Sequence, residues 1–409
     1  MKTKIIYFGI VISIVLRMGF VILRPNWQAP DEFPHFYYAY FLAKQGTQPE
    51  YCEEFPYYES YQPPLYYMFT AVIIKTIHFF NDQWYDNINF MIDRNTKIPE
   101  VFFVRLFSLL LSIGIILLGW KIFVRCFPNE PNLYNGLFML FLFHPTFISN
   151  TTGITNDVLA NMIGTIILLG MINCMITSNP LLFGFLLSLG MLTKANLLLF
   201  IPLVLIMVIP MKGDVLKKVK ICFQICLPIV IIYGGFWLFE YYKEGNFFLF
   251  PPFSVQSEQM TLFRIYQVFR NFFWSFWTAF GRTYEIRLPA ILYVVIFLPV
   301  TLLAVIGLIK DIFFKSRFWQ TNSIWCKFIL ITLLFFSASI YFSLHYSFFG
   351  TVNTSWGKNV FPVLPAILAL LAYGLNKILN KGVKEILLTL AGVCFVIDLW
   401  ALIKFIGMN

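Results

Sequence analysis

The chain has 409 residues, 59% of them hydrophobic and only 12% charged, with a mean hydropathy of +0.74 and a formal net charge of +10. Soluble domains run nearer about 45–50% apolar and about 25% charged, so the composition is that of an all-α polytopic membrane protein and excludes a soluble domain. Lys and Arg fall in short clusters between apolar runs, where they report topology, so nucleic acid is not expected as a partner.

The start, Met1-Lys2-Thr3-Lys4 and then Ile5 to Phe20, resembles a signal peptide. No small-residue cleavage site follows and Arg17 interrupts the run, so a retained anchor is expected. Further stretches of the roughly 17–25 residues needed to cross the hydrocarbon lie at about 103–123, 133–150, 157–177, 195–211, 220–240, 287–309, 327–345, 360–377 and 385–406, with a shorter one at Leu181 to Thr193. This makes about eleven spans.

The cationic clusters Lys2/Lys4, Lys121/Arg125, Lys212/Lys217/Lys218/Lys220, Lys310/Lys315/Arg317/Lys327 and Lys377/Lys381/Lys384 should all be cytoplasmic by the positive-inside rule. That requirement decides how Pro64 to Phe80 is read. Counted as a span, it would send the next two clusters outside. Its Lys75 and His78 also interrupt the apolar surface, which suits a helix lying in the interface. The N-terminus is then cytoplasmic and the first external loop runs from about 24 to 102, with another at about 241–286. The whole chain, 1–409, reads as one integral-membrane domain.

Most acids fall on the external side. The first are Asp31 and Glu32, with His35, in Ala29-Pro30-Asp31-Glu32-Phe33-Pro34-His35-Phe36 straight after the first span. Ionisable groups are costly beside a bilayer, so they mark a functional site by default. A helix cap explains the pair structurally, and a general base poised over a membrane cavity explains it chemically. Adjacent carboxylates do not easily point the same way, so one should be the base and its neighbour a supporting or metal-facing group.

Tyr61 and Gln62 precede the paired prolines Pro63-Pro64 and are candidates for a sugar subsite. Asp157, in Asn156-Asp157-Val158, caps the external start of a span. Lys194 closes a half-length apolar segment, where a cation is tolerated mainly if it faces protein or a water-filled cavity. Arg282, Arg287 and Lys358 lie at external span ends and, with Arg105, would form a positive rim suited to a phosphate. Interfacial anchoring beside Trp274, Trp277 and Trp356 is the competing reading. His144 and His345 fall within spans and read as core residues, and the sequons at Asn150 and Asn353 are short enough to arise by chance.

There is no phosphate-loop, HExxH or CxxC signature. Of the seven cysteines only Cys52 is clearly in a loop, so no disulfide framework is expected. No cofactor is required by the sequence. A divalent metal is left open, though the first loop contains no DxD pair.

The order and spacing of these motifs resemble the GT-C superfamily of membrane glycosyltransferases, which includes protein O-mannosyltransferases and the aminoarabinose transferase of lipid A. The residues that carry the resemblance are Pro-Asp-Glu-x-x-His-Phe-Tyr-Tyr at 30–38, Gln-Pro-Pro-Leu-Tyr-Tyr at 62–67, Asn-Asp-Val-Leu-Ala-Asn at 156–161, Leu-Thr-Lys at 192–194 and Trp-Gly-Lys at 356–358. The closest match is a bacterial branch of unassigned function. The resemblance implies that Asp31 is the catalytic base, with Glu32 its neighbour, that Asp157 is the second external acid and that Lys194 is the lysine of the broken hairpin. Where that branch has Gly-Arg-Tyr, this chain has Gly357-Lys358-Asn359, a point charge in place of a bidentate fork. The implied reaction moves a sugar, with inversion, from a polyprenyl-monophosphate donor to a glycan, glycolipid or protein acceptor on the external face of a bacterial cytoplasmic membrane. Two rivals are a polymerase or ligase using lipid-diphosphate donors, and a lipid or sugar transporter. The latter would favour polar midplane residues and internal repeats, and neither is evident.

Overall fold

Apart from one isolated antiparallel bridge, Phe280 with Ile286, the regular structure is helical throughout the described residues. A chain that must satisfy its backbone inside hydrocarbon needs this. The structure is a computed structural model describing residues 3–52, 54–80, 84–85, 91–93, 98–209, 211, 213–244, 261–282, 286–314, 324–345, 357–379 and 381–408. Trp356, the Asn353 sequon, the His345 side chain and most of loop 346–359 lie outside them, as do residues 245–260 and 283–285 of the expected loop 241–286.

The helices in chain order are α1 (Thr3–Leu23), α2 (Glu32–Gln45), α3 (Leu65–Phe80), α4 (Pro99–Cys126), α5 (Pro131–Leu142), α6 (Pro145–Thr151), α7 (Asp157–Ile172) and α8 (Pro180–Met191). They continue as α9 (Phe200–Val208), α10 (Val215–Tyr242, with a π-turn at Ile229–Gly234), α11 (Leu262–Trp277), α12 (Ala290–Phe313), α13 (Ile324–His345), α14 (Leu364–Leu379) and α15 (Val383–Ile406). Seven helices among the described residues are long and apolar enough to cross a membrane: α1, α4, α10, α12, α13, the Gly357–Leu379 segment and α15. The chain is a multi-pass membrane protein.

The other expected spans are shorter or broken, so the expected eleven crossings are not all present as full-length helices. The stretch 133–150 divides into α5 and α6 because Pro145 has no N–H to continue the ladder. The carbonyl of Leu142, exposed by that break, accepts hydrogen bonds from Ser13 (2.9 Å) and from the buried Arg17 of α1 (2.8 Å). Arg17 is therefore not a blemish in an anchor; it repairs a helix break where no water can. Close helix approach elsewhere depends on missing side chains. A Cβ on Gly307 of α12 would sit 1.9 Å from the Gly374 carbonyl of α14, and one on Gly374 would sit 2.0 Å from that of Ala304. Small residues at such crossings let backbones touch in a membrane.

Helix α3 packs on α2, with Tyr66, Tyr67, Thr70, Ala71, Ile74 and His78 buried and Met68, Phe69, Val72, Phe79 and Phe80 exposed. His78 thus does not interrupt the exposed apolar face. It turns inward against Glu100 of α4 (2.8 Å), with Trp84 stacked on its ring. The C-terminus of α1, the start of α2, the starts of α4, α7 and α14, and the ends of α8 and α11 meet at one end of the bundle, and the polar side chains gather there.

Candidate active site

Asp31 and Glu32 diverge, as two neighbouring carboxylates should. Asp31 has φ 56° and ψ 17°, in the left-handed region that Asp tolerates better than most side chains. This turn directs Glu32 into the protein and leaves Asp31 at the edge of the polar cluster.

Glu32 is fully buried and its lone pairs are occupied. Arg105 forks onto it through Nε (2.8 Å) and Nη2 (2.7 Å), the backbone N–H groups of Ala29 and Ile154 each donate at 3.2 Å, and Arg24 Nη2 lies at 4.0 Å. Burial alone would raise its carboxyl pKa, but Arg105 and then Arg24 outweigh it and bring it down to about 2. The remaining Arg105 donors go to the carbonyls of Val21, Arg24 and Pro25. Arg24 donates to the carbonyls of Ser149 and Thr152. These contacts tie the end of α1 to α2, α4 and the turn before α7. Arg105, expected on a phosphate-binding rim, instead has every N–H committed to this node, and Glu32 has no lone pair left for a proton.

Asp31 belongs to a second group. Lys358 Nζ donates to it at 3.1 Å and Tyr58 Oη donates to it at 3.2 Å. The same Lys358 ammonium lies 3.6 Å from Asp157, which also pairs with Lys194 and accepts from Asn150 Nδ2 at 3.1 Å. Residues from the first loop, from the starts of α7 and α14 and from the α8–α9 junction are thereby brought together: Asp31, Lys358, Asp157 and Lys194. Burial favours the protonated form of Asp31, but Lys358 and the Tyr58 hydrogen bond prevail and hold its carboxyl below the ordinary range. Its side chain is 24% exposed, against 7% for Lys358 and 5% for Asp157, so Asp31 is the acid an incoming molecule meets.

Lys358 is placed by α11. The Gly357 N–H donates to Ser275 Oγ at 2.7 Å, and a Cβ at Gly357 would fall 2.3 Å from the Phe276 nitrogen. Only glycine allows this approach.

Of the remaining expected residues, Gln62 and Tyr61 join the group. Asn156 Nδ2 donates to Gln62 Oε1 and to the Thr193 carbonyl, both at 3.1 Å. Gln62 Nε2 donates to Tyr61 Oη (2.8 Å) and to Glu59 Oε2 (3.0 Å). His35 is buried and bonded to Tyr67 Oη at 2.7 Å, and burial lowers its pKa to about 3, which leaves it neutral. Arg282 lies over the Phe55 ring (5.4 Å) and near Tyr58. Arg287 is exposed and lies near Tyr293.

Three members were not singled out in sequence: Glu59, Tyr58 and Asn150. Asn150, the asparagine of a sequon, is buried and occupied with Asp157. Glu59 is buried, and burial, reinforced by Asp31, pushes its carboxyl up to about 8 against the pull of Gln62, Lys194 and Lys358. Among the described residues no group of three His, Cys, Asp or Glu converges on a common point. The charged acids of the site face lysines, a donor set that fits an anion better than a divalent cation.

No protein-family model and no curated protein matches the chain. Solved structures do. The crystal structure of ArnT from Cupriavidus metallidurans bound to undecaprenyl phosphate superposes with a TM-score of 0.53 at 13% identity, covering 92% of this chain and 61% of that one. The apo state of the same protein gives 0.52 at 13% identity, covering 91% and 60%. The chain thus spans about three-fifths of the length of the structures it matches. The likeness covers nearly the whole chain, which accordingly has an ArnT-like membrane fold.

Proposed function

We propose that the chain is an inverting membrane glycosyltransferase that moves a sugar from a polyprenyl-monophosphate donor to a hydroxyl of a cell-envelope glycan, glycolipid or protein. The observation that carries this reading is the single ammonium of Lys358 shared between Asp31 and Asp157, with Lys194 on the far side of Asp157. Two lysines lie beside two acids at one end of a membrane bundle. A lipid phosphate arriving there can take the lysines as its own counter-ions, and Asp31 is then released from Lys358. The lipid named with the ArnT structure has this chemistry.

Asp31 accepts the proton of the acceptor hydroxyl as its oxygen attacks the anomeric carbon. The bond from that carbon to the phosphate oxygen breaks on the opposite face, and its electron pair stays with the phosphate. Lys194 and Lys358 stabilise the charge that develops there, so neither a metal nor a general acid is needed for departure. Glu32 and Arg105 hold the turn that aims Asp31. The active site faces outward and the N-terminus faces the cytoplasm across a bacterial cytoplasmic membrane, in keeping with the distribution of cationic clusters.

Transfer of labelled sugar in proteoliposomes from a panel of polyprenyl-phosphate donors tests this. The native protein should transfer, and Asp31→Asn should lose about 10²-fold or more, the range for a positioned general base. Transfer from lipid-diphosphate donors that is indifferent to Asp31 would replace this reading with the polymerase one.

A further inference from the structure

The cluster contains three carboxylates and two lysines. Asp31 and Asp157 are met by Lys358 and Lys194. Glu59 is the third acid, and among the described residues its hydrogen bonding is limited to Gln62, with no cation at ion-pair distance. The groups around it are Asp31, Lys194 and Lys358 from other elements, Tyr58 and Tyr61 from its own segment, and Tyr67 of α3.

The hydrogen bonds around Gln62 fix which Glu59 oxygen accepts. The Thr193 carbonyl can only accept, so the Asn156 amide presents its NH₂ to it, and the same NH₂ reaches Gln62 Oε1. The Gln62 NH₂ therefore points the other way and donates to Tyr61 Oη and Glu59 Oε2. Glu59 Oε2 is an acceptor, which leaves Oε1 as the place for a proton.

We propose that Glu59 works here as an uncharged carboxylic acid whose Oε1–H donates a hydrogen bond to the phosphate of the donor lipid. The inference rests on the phosphate reading above and adds a residue and a charge state to it. With Glu59 neutral, the two lysines balance Asp31 and Asp157, and the site admits an anion. With Glu59 ionised, the phosphate meets a third carboxylate. A hydrogen bond from Glu59 to the leaving oxygen would also gain strength as that oxygen takes up charge. Glu59 keeps its proton throughout, and the acceptor's proton goes to Asp31.

The test is binding of a polyprenyl monophosphate to the full chain in nanodiscs between pH 6.5 and pH 9.5, comparing wild type with Glu59→Gln and Glu59→Asp. Gln is neutral, isosteric and still a donor. Wild-type affinity should fall by about 10-fold or more on the alkaline side, the size of effect that one pKa unit of like-charge interaction represents. Glu59→Gln should lack this extra fall and Glu59→Asp should keep one. An unchanged alkaline course in Glu59→Gln overturns the assignment of Glu59 alone. Absence of saturable binding to wild type at every pH overturns the phosphate reading and this proposal with it. Infrared spectra of wild type in the same nanodiscs examine the group without substitution. A carboxylic C=O band should disappear through about pH 8, where Glu59 titrates, and its absence counts against the proposal.

Discussion

Two adjacent carboxylates, one residue apart in the chain, are used in opposite ways. Glu32 is surrounded by guanidinium and backbone N–H groups that leave it no freedom to bind or release a proton. Asp31 meets one shared ammonium and one phenol and retains access to the outside. The difference lies in the donor type. An arginine fork matches a carboxylate in shape and locks it, whereas a lysine is a point charge on a flexible stem that can change partner. One region holds the bundle end together, and the other is able to exchange ions.

The largest effect expected from this contrast is at Glu32. Glu32→Gln leaves Arg105 and Arg24 buried without their counter-ion and should cost about 3–5 kcal/mol, the range for breaking a buried pair from one side. Thermal unfolding in detergent measures it, and a normal midpoint would mean that Glu32 is no structural node. Asp31→Asn should do the reverse, with the melting midpoint nearly unchanged and transfer down by about 10²-fold or more.

Lys358→Met comes next. It should raise the donor KM by about 10–100-fold, as expected for loss of a charged hydrogen bond worth about 1.5–3 kcal/mol. It also removes the charge that holds Asp31 low, so the acidic limb of the pH–rate profile should move to higher pH. A limb that stays in place would show that Lys358 does not control Asp31.

Stability against pH separates the two regions again. The folded state holds the Glu59 proton up to about pH 8, whereas an unfolded glutamate releases it near its ordinary value of about 4.3. Between those limits the native chain binds more protons, so stability falls as pH rises, by up to about 1.4 kcal/mol per unit, and Glu59→Gln should flatten the slope. Glu32 has the opposite sign. Its contribution is present above the unfolded value and is lost as pH falls through about 2. The smallest effect is expected for Arg287→Ala, within about 5-fold in transfer, because an exposed charge is worth roughly 0–1 kcal/mol.

Much of this was legible in the chain. Asp31, Asp157, Lys194 and Lys358 each interrupt or terminate an apolar run, and a charge placed there draws attention before any contact is known. The partners of Glu32 were not legible. Arg105 lies 73 residues away, and a rim cation and a buried strut look alike in sequence. Glu59 was hidden for a related reason. It sits in a tyrosine-rich loop with no apolar run to interrupt, and its burial comes from tertiary packing, in which its segment lies against α2. The division of the expected span 133–150 at Pro145 was not legible, because a hydropathy window averages across Phe143 and His144 and does not register that the ladder has been cut.

The shared ammonium of Lys358 has one more consequence under the proposed reading. The site already contains its own competitor, since Asp31 and Asp157 pair with a cation that a phosphate would need. Donor capture is then an exchange of counter-ions rather than the filling of a vacant positive pocket, so net affinity is the difference between two similar terms. After transfer the two carboxylates can reclaim the lysines as the spent carrier loosens, pushing it off the protein. A site built this way favours turnover over retention, which suits a membrane where each carrier lipid must be released and recharged before it can be used again.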